Sequence, residues 1–200
     1  MLFRSKQPFI TTLFTISSHH PYVIPEKYKG RFPKGTLEVH ESVGYSDYAL
    51  RTFFEKIKNE SWYNNTLFVI TADHTSQAEG AFYQNKMGIY SVPVIYFSPS
   101  ENLKAFSPAI TQQCDILPSV LDYLHYDLPF VAFGQSVFDT STTHFAIQFM
   151  DDSYQIFNEN KLIQFDGDSI MSAYDFRTED RKSTRLNSSH VSESRMPSSA

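Results

Sequence analysis

A run of seven residues at positions 66–72, TLFVITA, constrains the possible folds more than any other feature of this sequence. Its residues are apolar or β-branched and do not alternate strictly with polar ones, which is the pattern of a strand covered on both faces. Comparable runs stand at residues 9–17 and 92–97. Because strands covered on both faces occur where helices flank a sheet, the pattern favours an α/β fold.

Two helical patterns lie among these runs. The first begins at Ser46 or Asp47, either of which is placed to cap it. Its apolar residues have the i, i+3, i+4, i+7 spacing: Leu50, Phe53, Phe54 and Ile57. The second is capped by Asp115, with Pro118 in the first turn, where proline is tolerated. Its predicted apolar face comprises Ile116, Leu117, Val120, Leu121 and Leu124. The element order predicts a layered α/β domain with a mostly parallel sheet.

The remaining segments predict a loop and a set of hairpins. Residues 23–44 contain prolines and glycines and predict a long surface loop. Short antiparallel strands are predicted at residues 144–150, 153–157 and 162–165, with turns at 151–152 and 158–160.

The composition changes sharply near residue 180. Residues 180–200 contain seven Ser and no aromatic residue, directly after a region rich in aromatic residues. This segment predicts a disordered tail and resembles a translated sequencing adapter. We therefore assign residues 1–179 to the folded part of the chain and leave residues 180–200 out of functional reasoning.

Composition excludes several functional classes. The chain has 17 Lys+Arg against 22 Asp+Glu and a formal net charge of −5, so it has no general electrostatic attraction for nucleic acid. Its single cysteine, Cys114, excludes a disulfide framework and a cysteine-rich zinc site, and is interpreted as a small buried residue. No apolar run approaches the roughly 20 residues that span a bilayer, and no signal peptide opens the sequence.

Two polar clusters follow predicted strands. Asp73 and His74 come after residues 66–72, and His19 and His20 come after residues 9–17. In open α/β sheets, ligands bind beyond the carboxyl ends of the strands. An Asp oxygen and a neutral His nitrogen can bind one divalent cation where the strand has ended and the backbone turns. For Asp73 and His74, two interpretations remain open: a metal site, or a solvated pair with no ligand. For His19 and His20, a ligand-binding role and a structural role both remain open.

Four segments together resemble the sulfatase-like phosphoglycerol transferases, the lipoteichoic acid synthase family of the alkaline phosphatase superfamily. They are TISSHHPY at 15–22, YSDYALRTFF at 45–54, TLFVITADHTS at 66–76 and QQCDILPSVLDYL at 112–124; PFVAFGQSVFD at 129–139 also fits. The resemblance implies a layered α/β/α fold with a mostly parallel sheet and a C-terminal antiparallel hairpin region. Residues 1–179 would be the C-terminal part of that domain, which is therefore incomplete here.

The resemblance also implies roles for individual residues. Asp73 and His74 would be metal ligands, and His19 would contact the phosphate or glycerol of the substrate. His20, at a variable position of the family pattern, is a second candidate for substrate binding. The cofactor would be a divalent metal, Mn2+ or Mg2+ before Zn2+ or Ca2+, acting with a threonine nucleophile. That nucleophile would lie upstream of Met1, so no catalytic residue is assigned here and the isolated chain is expected to be inactive.

The family further implies an envelope substrate, a phosphoglycerol lipid or an envelope glycan. The parent protein would lie in the cell membrane through helices N-terminal to this segment, with the domain outside the cytoplasm. Two alternatives remain open. One is a sulfatase or phosphonate-ester hydrolase, which would use a formylglycine derived from Cys or Ser. The other is a non-catalytic module that binds the cell envelope.

Overall fold

The computed structural model describes residues 7–85, 87–101, 103, 105–175 and 184–185. The chain divides into two compact units. The first comprises Met1–Glu79 with Val92–Leu103, and the second comprises Gly80–Ser91 with Lys104–Ala200. Short 3-10 turns occur at Glu26–Tyr28, Tyr63–Asn65, Gly88–Tyr90 and Gln113–Asp115. Within the described ranges, no helix combines the length and the apolar character needed to cross a membrane.

The first unit contains helix α1 (Val39–Ile57) and strands β1 (Phe68–Thr71) and β2 (Val94–Phe97). Both strands lie within runs that the sequence predicted as strands. The ring of Phe54 on α1 packs edge-on against Phe68 and Phe97, with centroids 5.1 and 5.6 Å apart. Phe68 and Phe97 are also register partners in the sheet. This aromatic cluster joins the helix to the strand pair.

The predicted mostly parallel sheet is not confirmed. Strands β1 and β2 pair antiparallel, as do the strands of the second sheet. The predicted first strand, residues 9–17, is not assigned as strand. Its side chains are largely exposed, with Ile10 at 91% and Ile16 at 72%. A strand needs a neighbour for its backbone N–H and C=O groups, and no described strand pairs with this run.

Helix α1 begins earlier than the sequence predicted. It starts at Val39 instead of Ser46 or Asp47, so the end of the predicted loop at residues 23–44 is helical. Nδ1 of His40 accepts the backbone N–H of Thr36 at 3.1 Å and organises the chain where the helix begins. Ser46 lies inside the helix and donates its hydroxyl to a carbonyl one turn back. The helix ends at Ile57, the last residue of the predicted apolar face.

The described part of the second unit contains helix α2 (Ile116–Tyr123) and five antiparallel strands in sequential order. The strands are β3 (Phe145–Met150), β4 (Ser153–Asn158), β5 (Lys161–Phe165), β6 (Ile170–Asp175) and β7 (Thr184–Arg185). The first three confirm the predicted hairpin region. Phe157 and Leu162 form the buried core of this sheet. Asp151 and Asp152 both have positive φ, at 51° and 53°, as a tight hairpin turn requires.

Helix α2 begins after Asp115, as predicted, but the Asp115 side chain makes no capping hydrogen bond to the helix, and the helix buries a different face. Pro118 and Ser119 are its buried residues, whereas Leu117 and Leu124 are 54% and 62% exposed. The interpretation of Cys114 as a buried residue is wrong, because its side chain is exposed.

The predicted tail at residues 180–200 lies outside the described residues, with one exception. Thr184–Arg185 form β7, which pairs with Tyr174 and Asp175 of β6. The assignment of residues 1–179 and 180–200 as separate segments stays a prediction.

Candidate metal and substrate site

Asp73 and His74 follow β1 directly after Ala72. The Asp73 side chain is 55% exposed and that of His74 is 70% exposed. Both groups are therefore accessible to an ion or substrate from solvent.

The local hydrogen bonds orient the two side chains. The backbone N–H of His74 donates to Oδ1 of Asp73 at 3.0 Å. Nδ1 of His74 lies 2.7 Å from the carbonyl oxygen of Thr75. Since a carbonyl only accepts, Nδ1 carries the proton in this contact, and the neutral ring keeps its lone pair on Nε2. This is the tautomer that a metal ligand bonding through Nε2 requires.

The spacing of the two candidate donor atoms also suits a shared cation. Nε2 of His74 lies 3.6 Å from Oδ2 of Asp73. Two ligand atoms each about 2.1 Å from one ion are about 3.0–3.4 Å apart at octahedral or tetrahedral angles. The observed separation is only slightly wider, so a small side-chain movement would bring both atoms onto one ion. The residues fit a divalent cation.

His19 and His20 lie in a tight turn. The backbone N–H of Tyr22 donates to the carbonyl of His19 at 2.7 Å and closes the turn. Nδ1 of His19 lies 2.8 Å from the carbonyl of His20, so this ring also presents Nε2 outward. The ring of His20 packs edge-on against Tyr22 with centroids 5.7 Å apart. Both histidines are exposed and accessible to a ligand.

Two side-chain contacts fix this turn within the first unit. The Ser18 hydroxyl lies 3.0 Å from that of Ser46 and joins the turn to α1. The Tyr22 hydroxyl lies 3.4 Å from that of Ser76, just beyond His74. The structure therefore brings the segment of the two histidines against the segment of Asp73, although these clusters are more than 50 residues apart in sequence.

Sequence reasoning missed Tyr22 and Ser76 as parts of this site. Tyr22 has a φ of 59°, which is uncommon for a residue other than glycine. Such conformations cluster at functional sites. Both residues stand inside the quoted motifs TISSHHPY and TLFVITADHTS, so their position there was the available signal.

The pair alone does not complete a metal site. Across the described ranges, no group of three or more His, Cys, Asp or Glu side chains is arranged to hold an ion. Structural and catalytic metal sites generally use at least three protein ligands. Asp73 and His74 therefore constitute a partial ligand set.

Comparison with protein families gives a match that contains both clusters. A family model described as Sulfatase matches residues 2–126, which include the turn of His19 and the loop of Asp73.

Among curated proteins, lipoteichoic acid synthase 1 of Bacillus subtilis (strain 168) is 32% identical over 79 residues, or 37% of this chain and 12% of that protein. The lipoteichoic acid synthase-like protein YvgJ of the same organism is 25% identical over 162 residues, or 70% of this chain and 26% of that protein. Phosphoglycerol transferase I of Xanthomonas axonopodis pv. citri (strain 306) is 32% identical over 77 residues, or 36% and 11%. The chain thus spans at most about a quarter of these curated relatives.

A solved structure shares the fold. It is a protein in the alkaline phosphatase superfamily from Vibrio parahaemolyticus, with a TM-score of 0.70 and 23% identity. The match covers 86% of this chain and 42% of that chain. It confirms the predicted alkaline phosphatase-like fold class, while the strand pairing within the described residues remains antiparallel.

Proposed function

This chain belongs to the sulfatase family, and from that membership we propose that it is part of a metal-dependent phosphoglycerol transferase acting on phosphate esters of the cell envelope. The names of the curated relatives, two lipoteichoic acid synthase-type proteins and a phosphoglycerol transferase, support the transferase branch. Since the chain spans only a fraction of each relative, the activity is proposed for a larger parent protein.

The arrangement of Asp73 and His74 is the observation that carries this proposal. Oδ2 of Asp73 and Nε2 of His74 are 3.6 Å apart, and the Thr75 carbonyl holds the imidazole in the tautomer that can bind a cation. These two residues would hold Mn2+ or Mg2+, with Zn2+ and Ca2+ as alternatives. Such an ion lowers the pKa of a nucleophile and neutralises charge that develops on phosphorus.

His19 is proposed to bind the anionic substrate. Its Nδ1 is engaged by the carbonyl of His20, so Nε2 is the ring nitrogen that would contact a phosphate oxygen. His20 is a second candidate, packed beside Tyr22 in the same turn. The hydroxyl contact from Tyr22 to Ser76 would hold this turn in place against the segment of Asp73.

The nucleophile is proposed to come from a segment that precedes Met1 in the parent protein, as a threonine. The substrate would be a phosphoglycerol lipid or an envelope glycan, and membrane attachment would come from helices N-terminal to this segment. The parent would then act outside the cytoplasm. The proposed roles of Asp73, His74 and His19 are the same for both substrates.

Sulfate-ester hydrolysis is a second candidate, favoured by the description of the matched family. Sulfate and phosphate esters are both tetrahedral anions that a metal and a histidine can bind. The nucleophile distinguishes the two reactions, because a sulfatase would need a Cys or Ser converted to formylglycine where the transferase keeps Thr. A module that only binds the envelope would differ from both by having no metal affinity in the parent.

Metal binding by the 200-residue chain tests the proposal. Electron paramagnetic resonance of free Mn2+ gives a signal that falls when the ion binds. We expect weak binding, which Asp73→Asn and His74→Gln each weaken by at least about tenfold. Glu101→Gln, which alters an exposed carboxylate of the same unit, is the matched control and should leave the titration unchanged. Equal affinity in all four proteins would contradict the proposal.

A further inference from the structure

The second unit carries an open groove of about 970 Å³ beside helix α2. Its polar lining includes Asp122 on the helix and Ser136 and Asp139 on the following loop. Its aromatic lining includes Tyr126 and Phe130. All of these side chains belong to the second unit.

The polar side of the groove is rich in hydrogen-bond acceptors. Oδ2 of Asp122 accepts the Ser136 hydroxyl at 2.5 Å, and Oδ1 of Asp139 accepts the hydroxyl and backbone N–H of Ser141 at 2.6 and 2.8 Å. These bonds hold both carboxylates in place. An ionised carboxylate offers about four acceptor positions, so each group can accept further donors. Thr142 and Thr143 add exposed hydroxyls to the same lining.

The apolar side of the groove presents aromatic faces to solvent. Tyr126 and Phe130 pack against each other with ring centroids 6.2 Å apart. They are nevertheless 45% and 46% exposed. Aromatic rings held in place at the surface offer rigid apolar contact area at low entropic cost. Such faces suit the C–H surfaces of a sugar ring or a carbon chain that carries hydroxyls.

The charge of the groove limits the ligands it can take. Among the described residues that line it, two are acidic and none is basic. Fixed carboxylates repel phosphate and sulfate groups, so a ligand with an anionic group at this position is disfavoured. A neutral ligand with several adjacent hydroxyls satisfies the acceptors and covers the rings without adding charge.

We propose that this groove binds a neutral polyhydroxylated ligand, a sugar or a polyol. Its hydroxyls donate to Asp122 and Asp139, and its C–H groups pack on Tyr126 and Phe130. The proposal stands apart from the metal chemistry proposed for Asp73, and it requires neither a bound ion nor an active enzyme.

Saturation-transfer difference NMR on the 200-residue chain tests it, because the method detects weak ligands. The probes are glycerol, cellobiose and glycerol 3-phosphate. We expect saturation of a neutral probe, and a loss of about fivefold in apparent affinity with Phe130→Ala or Asp122→Ala. Preference for cellobiose over glycerol would identify a glycan site, and the reverse preference would identify a polyol site; both outcomes support the proposal.

Matched variants separate the groove from the general surface. Phe133→Ala removes a ring that is 92% exposed and outside the lining, and Asp127→Ala removes an exposed acid outside it. Both variants should bind the neutral probes as strongly as the unmodified chain does. The inference is overturned if neither neutral probe is saturated, if the lining variants bind normally, or if glycerol 3-phosphate binds as strongly as glycerol.

Discussion

The hydroxyl oxygen of Tyr22 lies 3.4 Å from that of Ser76, although 54 positions separate the two residues. The contact joins the turn that carries His19 to the loop that follows His74. This contact between two uncharged hydroxyls holds the turn and the loop together. The position of His19 relative to Asp73 and His74 would thus depend on two residues that are proposed neither as metal ligands nor as substrate-binding groups.

The first prediction concerns this contact. Tyr22→Phe and Ser76→Ala each remove one hydroxyl. Each should lower the free energy of unfolding by at most about 1.5 kcal/mol, because the hydrogen bond is exposed to solvent. The double variant should lose less than the sum of the two single losses, since either change alone breaks the contact. Urea denaturation of the four proteins measures this coupling. Strict additivity would show that the hydroxyls do not interact in solution.

The second prediction concerns the activity of the isolated chain. With Mn2+ and bis(4-nitrophenyl) phosphate, we expect hydrolysis no faster than with Mn2+ alone. The reason is that Asp73 and His74 supply only two metal ligands and no residue of this chain is assigned as the nucleophile. The release of 4-nitrophenolate measures the rate. Turnover that Asp73→Asn abolishes and Glu101→Gln preserves would refute the assignment.

Elements governed by short-range signals could be predicted from the sequence. The apolar run at residues 66–72 contains β1, and Asp115 stands immediately before α2. The hairpins at residues 144–165 were also predicted, because short strand-like runs separated by turns that contain Asp or Asn are local features. Asp73 and His74 could be identified as candidate metal ligands from a local feature too, because they directly follow the predicted strand at residues 66–72.

Features that depend on distant partners could not be predicted. Residues 9–17 have strand-forming composition, but pairing requires a neighbouring strand that composition does not specify. The start of α1 depends on His40 accepting backbone N–H groups before the helix, a contact with no strong sequence signal. The link between Tyr22 and Ser76 depends on the packing of two segments that are 54 positions apart in the sequence. The antiparallel pairing of β1 with β2 likewise depends on register, not on the composition of either strand.

The third prediction concerns the pH dependence of stability. Hydrogen bonds from the hydroxyl and backbone N–H of Ser141 lower the pKa of the Asp139 carboxyl below its ordinary value of 3.8, and the charge of nearby His144 adds to this. A carboxyl whose pKa is lower in the folded state stabilises the fold above its unfolded value, and this stabilisation disappears as the pH falls through the folded value. Asp139→Ala should therefore lower the Tm near neutral pH.

The difference in Tm between the unmodified chain and Asp139→Ala should shrink as the pH falls below 3.8 and vanish below the lower folded pKa, where the carboxyl is protonated in both states. Thermal unfolding followed by circular dichroism across this range provides the measurement. Asp127→Ala controls for the loss of one exposed carboxylate. A difference that is constant with pH, or that grows on acidification, would show that Ser141 does not stabilise the ionised form.

The last prediction concerns Gly134, which packs against the chain that leads into α2. A Cβ atom there would lie closer than 3.0 Å to the backbone carbonyl of Cys114 and to Oδ1 of Asp115. The Asp115 side chain cannot move freely, because the residue is 2% exposed and its carboxylate accepts two backbone N–H groups. We expect Gly134→Ala to lower the free energy of unfolding by about 1–3 kcal/mol, as overpacking does. Urea denaturation measures the loss, and the exposed substitution Asp127→Ala should cost less than about 0.5 kcal/mol. Equal losses in the two variants would contradict the predicted clash.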